Sequence, residues 1–587
     1  MPLYPKIRTQ LTRQELIDSF GGYDHRLRIP DGCWYDTENL SSDLAPLLSC
    51  RAPRHDLHVR AGALAGKEAL AYVSENGTLY YDHLPTALTG LLPGEKQMVG
   101  MGAYLVIFPD KVYLNTEKQT ERGSLEAHYS AASAEYSMVR ADGSPLTAQY
   151  VQPTEPPEPQ NAEYWIDSSE GSCTLKQWSE AQSRWISVES VYIRIGFSSL
   201  GVIPGLFAEN DGVTISGSSL ADVNGAKIIH ALGGSAQEED WILVTGLPAA
   251  LPELPDTTLR IDRCVPEMDY VCECRNRIWG CRYGQDGAQS VNEIYCCALG
   301  DFKNWQRFEG LSTDSWTGSV GSDGPWTGAV NYLGCPTFFK ENRIHRVTVS
   351  PEGAHAIGET ACRGVQKGCA RSLVVVNETL YYLSRSDVCA YQGGFPRGIS
   401  AVFGERQYHG AAAGALNGKY YLSALDAEGG SVLFVYDIAK DIWLREDDLY
   451  ATEFACAGGA LYALADGALL CLSGTPTLSG ATAEESVAWE AVTGVETFSL
   501  PENKRLSRYQ IRLRMAQGSS FAVYVQYDSD GVWRSAGSIS AAESAADSYL
   551  FPVRPRRCDH LQLKLAGTGD VRVLSVARIL EVGSDYR

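Results

Sequence analysis

No stretch of the 587-residue sequence approaches the roughly 18 apolar residues that a membrane-spanning helix needs. Met1 to Gln10 carries Pro2, Pro5, Lys6 and Arg8 without an apolar core, so it does not read as a secretory signal. No Cys-x-x-Cys pair occurs among the 16 cysteines. Cys296 and Cys297 are adjacent, Cys272 and Cys274 alternate, and Cys389 and Cys471 lie beside apolar residues. This usage reads as reduced, small core side chains of a protein made in a cytoplasm, not as a disulfide framework or a zinc site. Basic side chains are scarce: Lys plus Arg is 50 against 71 Asp plus Glu, a formal net charge of −21. Stable nucleic-acid binding relies on basic groups displacing counterions, so a nucleic-acid clamp is disfavoured. A lumen that DNA slides through without sticking is compatible with the same charge. The phosphate-loop, HExxH and GxSxG signatures are absent. The ten histidines show no metal-like i, i+4 pair, and His25, His55 and His58 in the N-terminal region read as surface residues. The residues themselves nominate no catalytic group, no cofactor and no metal ligand.

What is abundant points to β structure. The chain holds 57 Gly and 31 Tyr, residues of tight turns and of pleated, half-buried surfaces. A turn residue followed by a short apolar strand with an aromatic or His recurs along the chain. It reads Asn76-Gly77-Thr78-Leu79-Tyr80, Asp110-Lys111-Val112-Tyr113, Asn276-Arg277-Ile278-Trp279 and Asn342-Arg343-Ile344-His345. It continues as Asn377-Glu378-Thr379-Leu380-Tyr381, Asn417-Gly418-Lys419-Tyr420-Tyr421 and Gly459-Ala460-Leu461-Tyr462. Asn and Gly tolerate positive φ, and an apolar strand precedes each turn, so each copy predicts a hairpin. After Asn342 the copies are spaced by 35, 40 and 42 residues, close to the ~40 to 50 residues of a propeller blade. A closed ring also protects the edges that separate hairpins would expose.

The fold expected is therefore all-β, a six- or seven-bladed β-propeller with an inserted small β-barrel or sandwich and a C-terminal β-sandwich. The 166 residues from Asp110 to Asn276 are too long for one blade. They contain proline clusters at Pro153, Pro156, Pro157 and Pro159 and at Pro248, Pro252 and Pro255, which suit linkers and not central strands. Alternating runs at Tyr509–Met515, Phe521–Tyr527 and Leu561–Leu565 predict the terminal sandwich. Thr12 and Glu15 have capping-box spacing, which predicts a short helix followed by an extended arm. The expected boundaries are 1–60 for helix and arm, 61–118 for the first blades, 119–256 for the insertion, 257–490 for the remaining blades and 491–587 for the sandwich.

Two Ser-Asp-Gly stretches, Ser322-Asp323-Gly324-Pro325-Trp326 and Ser529-Asp530-Gly531-Val532-Trp533, share part of an aspartate turn found in sialidases, and read first as turns. The basic run Arg554-Pro555-Arg556-Arg557 reads as a solvated loop.

Three segments carry a resemblance. They are Phe20-Gly21-Gly22 with Gly32-Cys33-Trp34-Tyr35-Asp36 through Arg51, then Asp211-Gly212-Val213-Thr214-Ile215-Ser216-Gly217, then Pro555-Arg556-Arg557-Cys558-Asp559-His560 through Ser584-Asp585. In this order the chain resembles the tail nozzle and packaged-DNA stabilisation proteins of tailed bacteriophages. That resemblance implies a non-enzymatic virion protein assembled in the bacterial host cytoplasm. It implies a six-fold homo-oligomeric ring below the portal and adaptor, touching other tail proteins and passing genomic DNA without sequence-specific binding or a membrane span. Within it, Trp34, Tyr35, Asp36 and Leu40 are expected to anchor an inter-subunit or portal-facing contact. Two alternatives stand beside it: a carbohydrate-binding adhesin at a tail tip, and a propeller glycosidase with two carboxylates ~5 to 9 Å apart.

Overall fold

The computed structural model describes residues 12–140, 142–169, 173–188, 191–287, 289–350, 353–498, 503–541, 549–552 and 556–582. The stretch Met1–Gln10, residues Arg554 and Pro555, and the Ser584-Asp585 motif lie outside them. The described chain is all-β, built of many small, mostly antiparallel sheets. Among the described residues no helix is long and apolar enough to cross a membrane. The chain divides into two compact units, Met1–Lys96 with Phe338–His345 and Glu359–Arg587, and Gln97–Thr337 with Arg346–Gly358.

In the first unit the repeats form four-stranded sheets. One runs Tyr408–Leu416, Lys419–Asp426, Ser431–Asp437 and Ile442–Asp447, and its neighbour in sequence runs Val374–Val376 to Arg397–Gly398. The turns obey the predicted chemistry. Asn377 and Glu378 have φ of 46° and 63°, and Asn417 and Gly418 of 53° and 75°. Two successive positive φ values match the twist of the flanking strands, so the hairpin closes without splaying. Strand His55–Lys67 serves two sheets. Its first half pairs with Ala468–Ser473 and its second half with Ala69–Ser74, so the start and the end of the repeat series share one strand. The copies differ in placement: Asn377, Asn417 and Gly459 join the first and second strands of their sheets, whereas Asn76 joins the second and third.

The same unit contains a sandwich. One sheet is centred on Lys504–Met515 and Val571–Val582, the other on Ser520–Tyr527 and Leu561–Thr568. Inward residues Tyr509, Ile511, Leu513, Phe521, Val523, Leu563 and Leu565 form its core. The N-terminal segment completes this sandwich. Trp34–Glu38 pairs with Ala488–Thr493, and Leu48–Cys50 pairs with Val571–Val582. The helix expected at Thr12 is instead strand Thr12–Ile17, laid along Val571–Val582. Capping-box spacing is a local preference, and a long strand offering a free edge outweighs it. The arm is further held by charge: Arg51 meets Glu484 at 2.6 Å and Arg54 meets Glu446 at 2.6 Å, both arginines being buried.

The second unit holds the four-stranded sheets Gln97–Met101 to Arg122–Ser124 and Tyr270–Glu273 to Trp316–Ser319. Between them in sequence, two more four-stranded sheets enclose a core of Ile193, Ile195, Phe197, Val213, Ile215, Ile242, Val244 and Ile261. A third small sheet runs Tyr150–Gln152, Tyr164–Asp167, Thr174–Ser179 and Arg184–Ser187, its first two strands parallel. All sixteen cysteines are free thiols, nine of them buried. Burial pushes the Cys296 thiol up to about 11, so it behaves as a packed apolar group.

Candidate functional sites

The small sheet of the second unit has two unlike faces. Strand alternation sends Ile166 and Leu175 down onto Leu146, with Met138, Tyr164, Val188 and Leu247 around them. The same alternation sends Trp165, Lys176, Trp178 and Trp185 to the opposite face, because Trp165 is paired with Lys176, and Trp178 with Trp185. Tyr150, paired with Trp165, joins them. Trp185 is the hub: its ring lies edge-on to Trp165 at 5.3 Å, to Trp178 at 5.5 Å and to Tyr150 at 6.3 Å. These are edge-to-face arrangements that add to packing and hold each ring in one orientation. Trp165 is buried beneath, whereas Tyr150, Trp178 and Trp185 remain half-exposed.

Polar groups border the rings. Lys176 Nζ donates to Asp167 at 2.7 Å and lies 4.7 Å from the Trp165 ring centre. The Lys176 bond, with those from Ser169, holds the Asp167 carboxyl down at about 2. The pair is therefore internally neutral across ordinary pH. Tyr150 donates its hydroxyl to Glu163 at 3.1 Å.

The first unit contains a cavity of about 910 Å³. The turn Asp31-Gly32, the segment Thr493–Phe498 and strand Val571–Val582 contribute to its wall. Gly32 has φ of 87°, and a Cβ there would come within 2.5 Å of the Ser19 carbonyl oxygen, so this turn requires glycine. Arg578 projects from the middle of its sheet, with Glu15 opposite on one neighbouring strand and Tyr509 on the other. Its guanidinium reaches Glu496 at 3.1 Å and Asp31 at 3.4 Å. Burial drives the Glu496 carboxyl up to about 7, Arg578 opposes that rise, and Asp31 reinforces it. Arg26 is neutralised by Asp24, at 2.8 and 2.5 Å. Arg28, at the wall, is exposed.

The residues singled out from sequence are placed as follows. Trp34 and Leu40 are buried in the sandwich core, and Trp34 also lines the cavity. Tyr35 stacks on His25 at 4.0 Å and accepts the His25 Nδ1 contact on its carbonyl oxygen at 2.9 Å. Asp36 faces Arg445 at 3.4 Å. His55 and His58 lie on one strand, and His58 contacts Thr482 at 2.9 Å. Asp323 accepts from Gly324 N and from the Tyr283 hydroxyl, and Asp530 accepts from Val532 N and pairs with Arg534. Both are turns built around an aspartate. Among the described residues no cluster of three or more His, Cys, Asp or Glu could hold a metal ion. Sequence reading missed the Trp165, Trp178 and Trp185 group. The signal was there, since three of the chain's 12 tryptophans fall within 21 residues and two sit on alternating strands.

No protein-family profile matches the chain, and no curated protein matches it. Solved structures that it is similar to include an exo-β-1,3-galactanase from Phanerochaete chrysosporium with galactose, at 8% identity. That alignment covers 52% of this chain and 94% of the galactanase, with a TM-score of 0.21. A bifunctional GH43-CE protein of Bacteroides eggerthii aligns over 54% of this chain and 62% of its own, at 9% identity and a TM-score of 0.21. Trypanosoma rangeli sialidase covers 90% of this chain and 96% of its own, at 9% identity and a TM-score of 0.17. Superpositions this loose assign neither a family nor an activity. They do correct the tail-nozzle expectation. The similar structures are carbohydrate-active enzymes and not tail proteins, so the phage resemblance, the DNA-conduit role and the exclusion of enzymatic activity are withdrawn.

Proposed function

We propose that this chain is a carbohydrate-binding protein and that the face formed by Tyr150, Trp178 and Trp185 over Trp165 is a sugar platform. The observation that carries this reading is the clustering of rigid aromatic rings on one half-exposed sheet face, bordered by an internally neutral Lys176–Asp167 pair. Sugar rings present C–H faces that pack on aromatic side chains, and their hydroxyls bond to fixed polar groups at the margin. Stacked nucleotide bases would use the same rings but need a positive groove along the backbone. Here the nearest cation is already paired, and the chain carries −21 overall.

The sheets that carry the hairpin repeats, read as blades of one β-propeller, are the finer part of the same proposal. The strand shared between the first and last sheets supports it, because such sharing removes an exposed edge. A density map at side-chain resolution in which these sheets do not surround one axis would overturn that part.

The platform is tested by incubating the full chain with arrayed neutral polysaccharides, β-galactans and β-glucans among them, beside Trp178→Ala. Retention of the parent chain on at least one polysaccharide, with loss in the variant, is the expected result. Absence of retention across the array, or retention that ignores Trp178, would sink the reading.

A further inference from the structure

The Arg578 cavity is distinct from the sugar platform, and its chemistry differs. Arg578 is 3% exposed, yet its Nε has no acceptor among the described residues. A buried guanidinium N–H without an acceptor is costly, and a ligand oxygen would relieve it. One of its two partners is loosely held: Asp31 is 80% exposed and sits at 3.4 Å, longer than a good charge-assisted bond. Arg28 forms no ion pair among the described residues and stands at the wall. Exposed Leu27 and Val495 give the mouth an apolar border, at 98% and 50% exposure.

We propose that this cavity binds a carboxylate-bearing ligand, an acidic sugar, whose carboxylate takes the place of Asp31 on Arg578 and is met at the mouth by Arg28. A planar carboxylate matches the guanidinium fork, and the volume of about 910 Å³ accommodates a sugar. The acidic-sugar identity rests on the carbohydrate reading above. The carboxylate site itself does not.

The charge of the cavity sets when it binds. Glu496 faces Arg578 from the segment after strand Ala488–Thr493, Asp31 from the turn and Glu15 from strand Thr12–Ile17, while Tyr509 adjoins Arg578 on Lys504–Met515. Lys504 bonds the Thr497 carbonyl oxygen, next along the chain from Glu496. With Glu496 neutral the cavity gains one unit of positive charge, and an incoming anion is favoured. Above the range in which Glu496 is protonated, its carboxylate competes with the ligand for the same guanidinium.

Calorimetric titration of the full chain with galacturonate, galactose, acetate and inorganic phosphate at pH 5.5 and pH 8.5 tests this. Galacturonate is expected to bind at pH 5.5 and at least about tenfold more weakly at pH 8.5. Acetate is expected to compete with it, and galactose not to. Arg28→Ala is exposed enough to leave the fold intact and should weaken galacturonate roughly fivefold or more. Arg578→Lys, checked for folding by its dichroism melt, should abolish binding. Galacturonate bound equally by the parent chain and both variants, or galactose bound as tightly, overturns the proposal. Phosphate bound as tightly as galacturonate overturns the carboxylate assignment. Galacturonate failing while Trp178-dependent polysaccharide retention persists removes this inference alone. Acetate binding through Arg28 without any polysaccharide retention removes the carbohydrate reading alone.

Discussion

Glu496 and Arg578 meet at 3.1 Å inside the sandwich, one from the segment after Ala488–Thr493 and the other from the long strand Val571–Val582. Both are nearly inaccessible, at 8% and 3%. The pair gives folding a pH dependence of known sign. The Glu496 carboxyl rises to about 7 in the folded chain from 4.5, so the folded state holds the proton more tightly. Its stabilisation is complete below about pH 4.5 and is lost as pH climbs through about 7, a change on the order of 3 kcal/mol. Glu496→Gln cannot titrate. Its urea midpoint should therefore fall less than that of the parent chain between pH 5 and pH 8, and a parallel loss in both would contradict the assignment.

Platform binding should show no such dependence. Asp167 is held at about 2 by Lys176 and Ser169, so it keeps its charge throughout ordinary pH. Polysaccharide retention through Trp178 is expected to stay constant from pH 4 to pH 9, measured by affinity electrophoresis. A fall of more than a few-fold at pH 5 would mean that a different group governs the contact.

Trp178 and Trp185 should separate binding from stability. Trp178 makes one of the three edge-on ring contacts, whereas Trp185 makes all three. Trp178→Ala is expected to lose retention with a melting temperature within a few degrees of the parent, since edge pairs contribute about 0.5–1.5 kcal/mol each. Trp185→Ala should lower both. Equal destabilisation in the two variants would show that the hub assignment is wrong.

Trp34 provides a test of where the N-terminal arm belongs. It is 2% exposed and packs in the sandwich core with Phe20 at 5.8 Å. Trp34→Ala removes a fully buried ring and should cost about 3–5 kcal/mol, visible as a lower urea midpoint for the sandwich followed by a local fluorescent probe. An unchanged midpoint with altered self-association by light scattering would instead favour the expected role of Trp34 as a partner anchor.

The all-β class was legible in the sequence because its signals are local. Two positive φ values at Asn417 and Gly418 follow from residue type and neighbours alone, and alternation at Tyr509 to Met515 assigns each side chain to a face whatever lies beyond it. The same locality explains the misreading at Thr12: a capping box describes four residues, whereas the strand found there depends on Val571–Val582, more than five hundred residues away. The candidate sites are non-local in the same way. Nothing near Arg578 in sequence announces Glu496, Asp31 or Glu15, and only pairing of distant strands brings them to one guanidinium. Thus residue order by itself determined turns, strands and faces, which depend on steric preference and period two. Tertiary pairing decided which faces are covered, which charges lose water and where an unmatched guanidinium N–H is left, because burial is a property of the assembled chain.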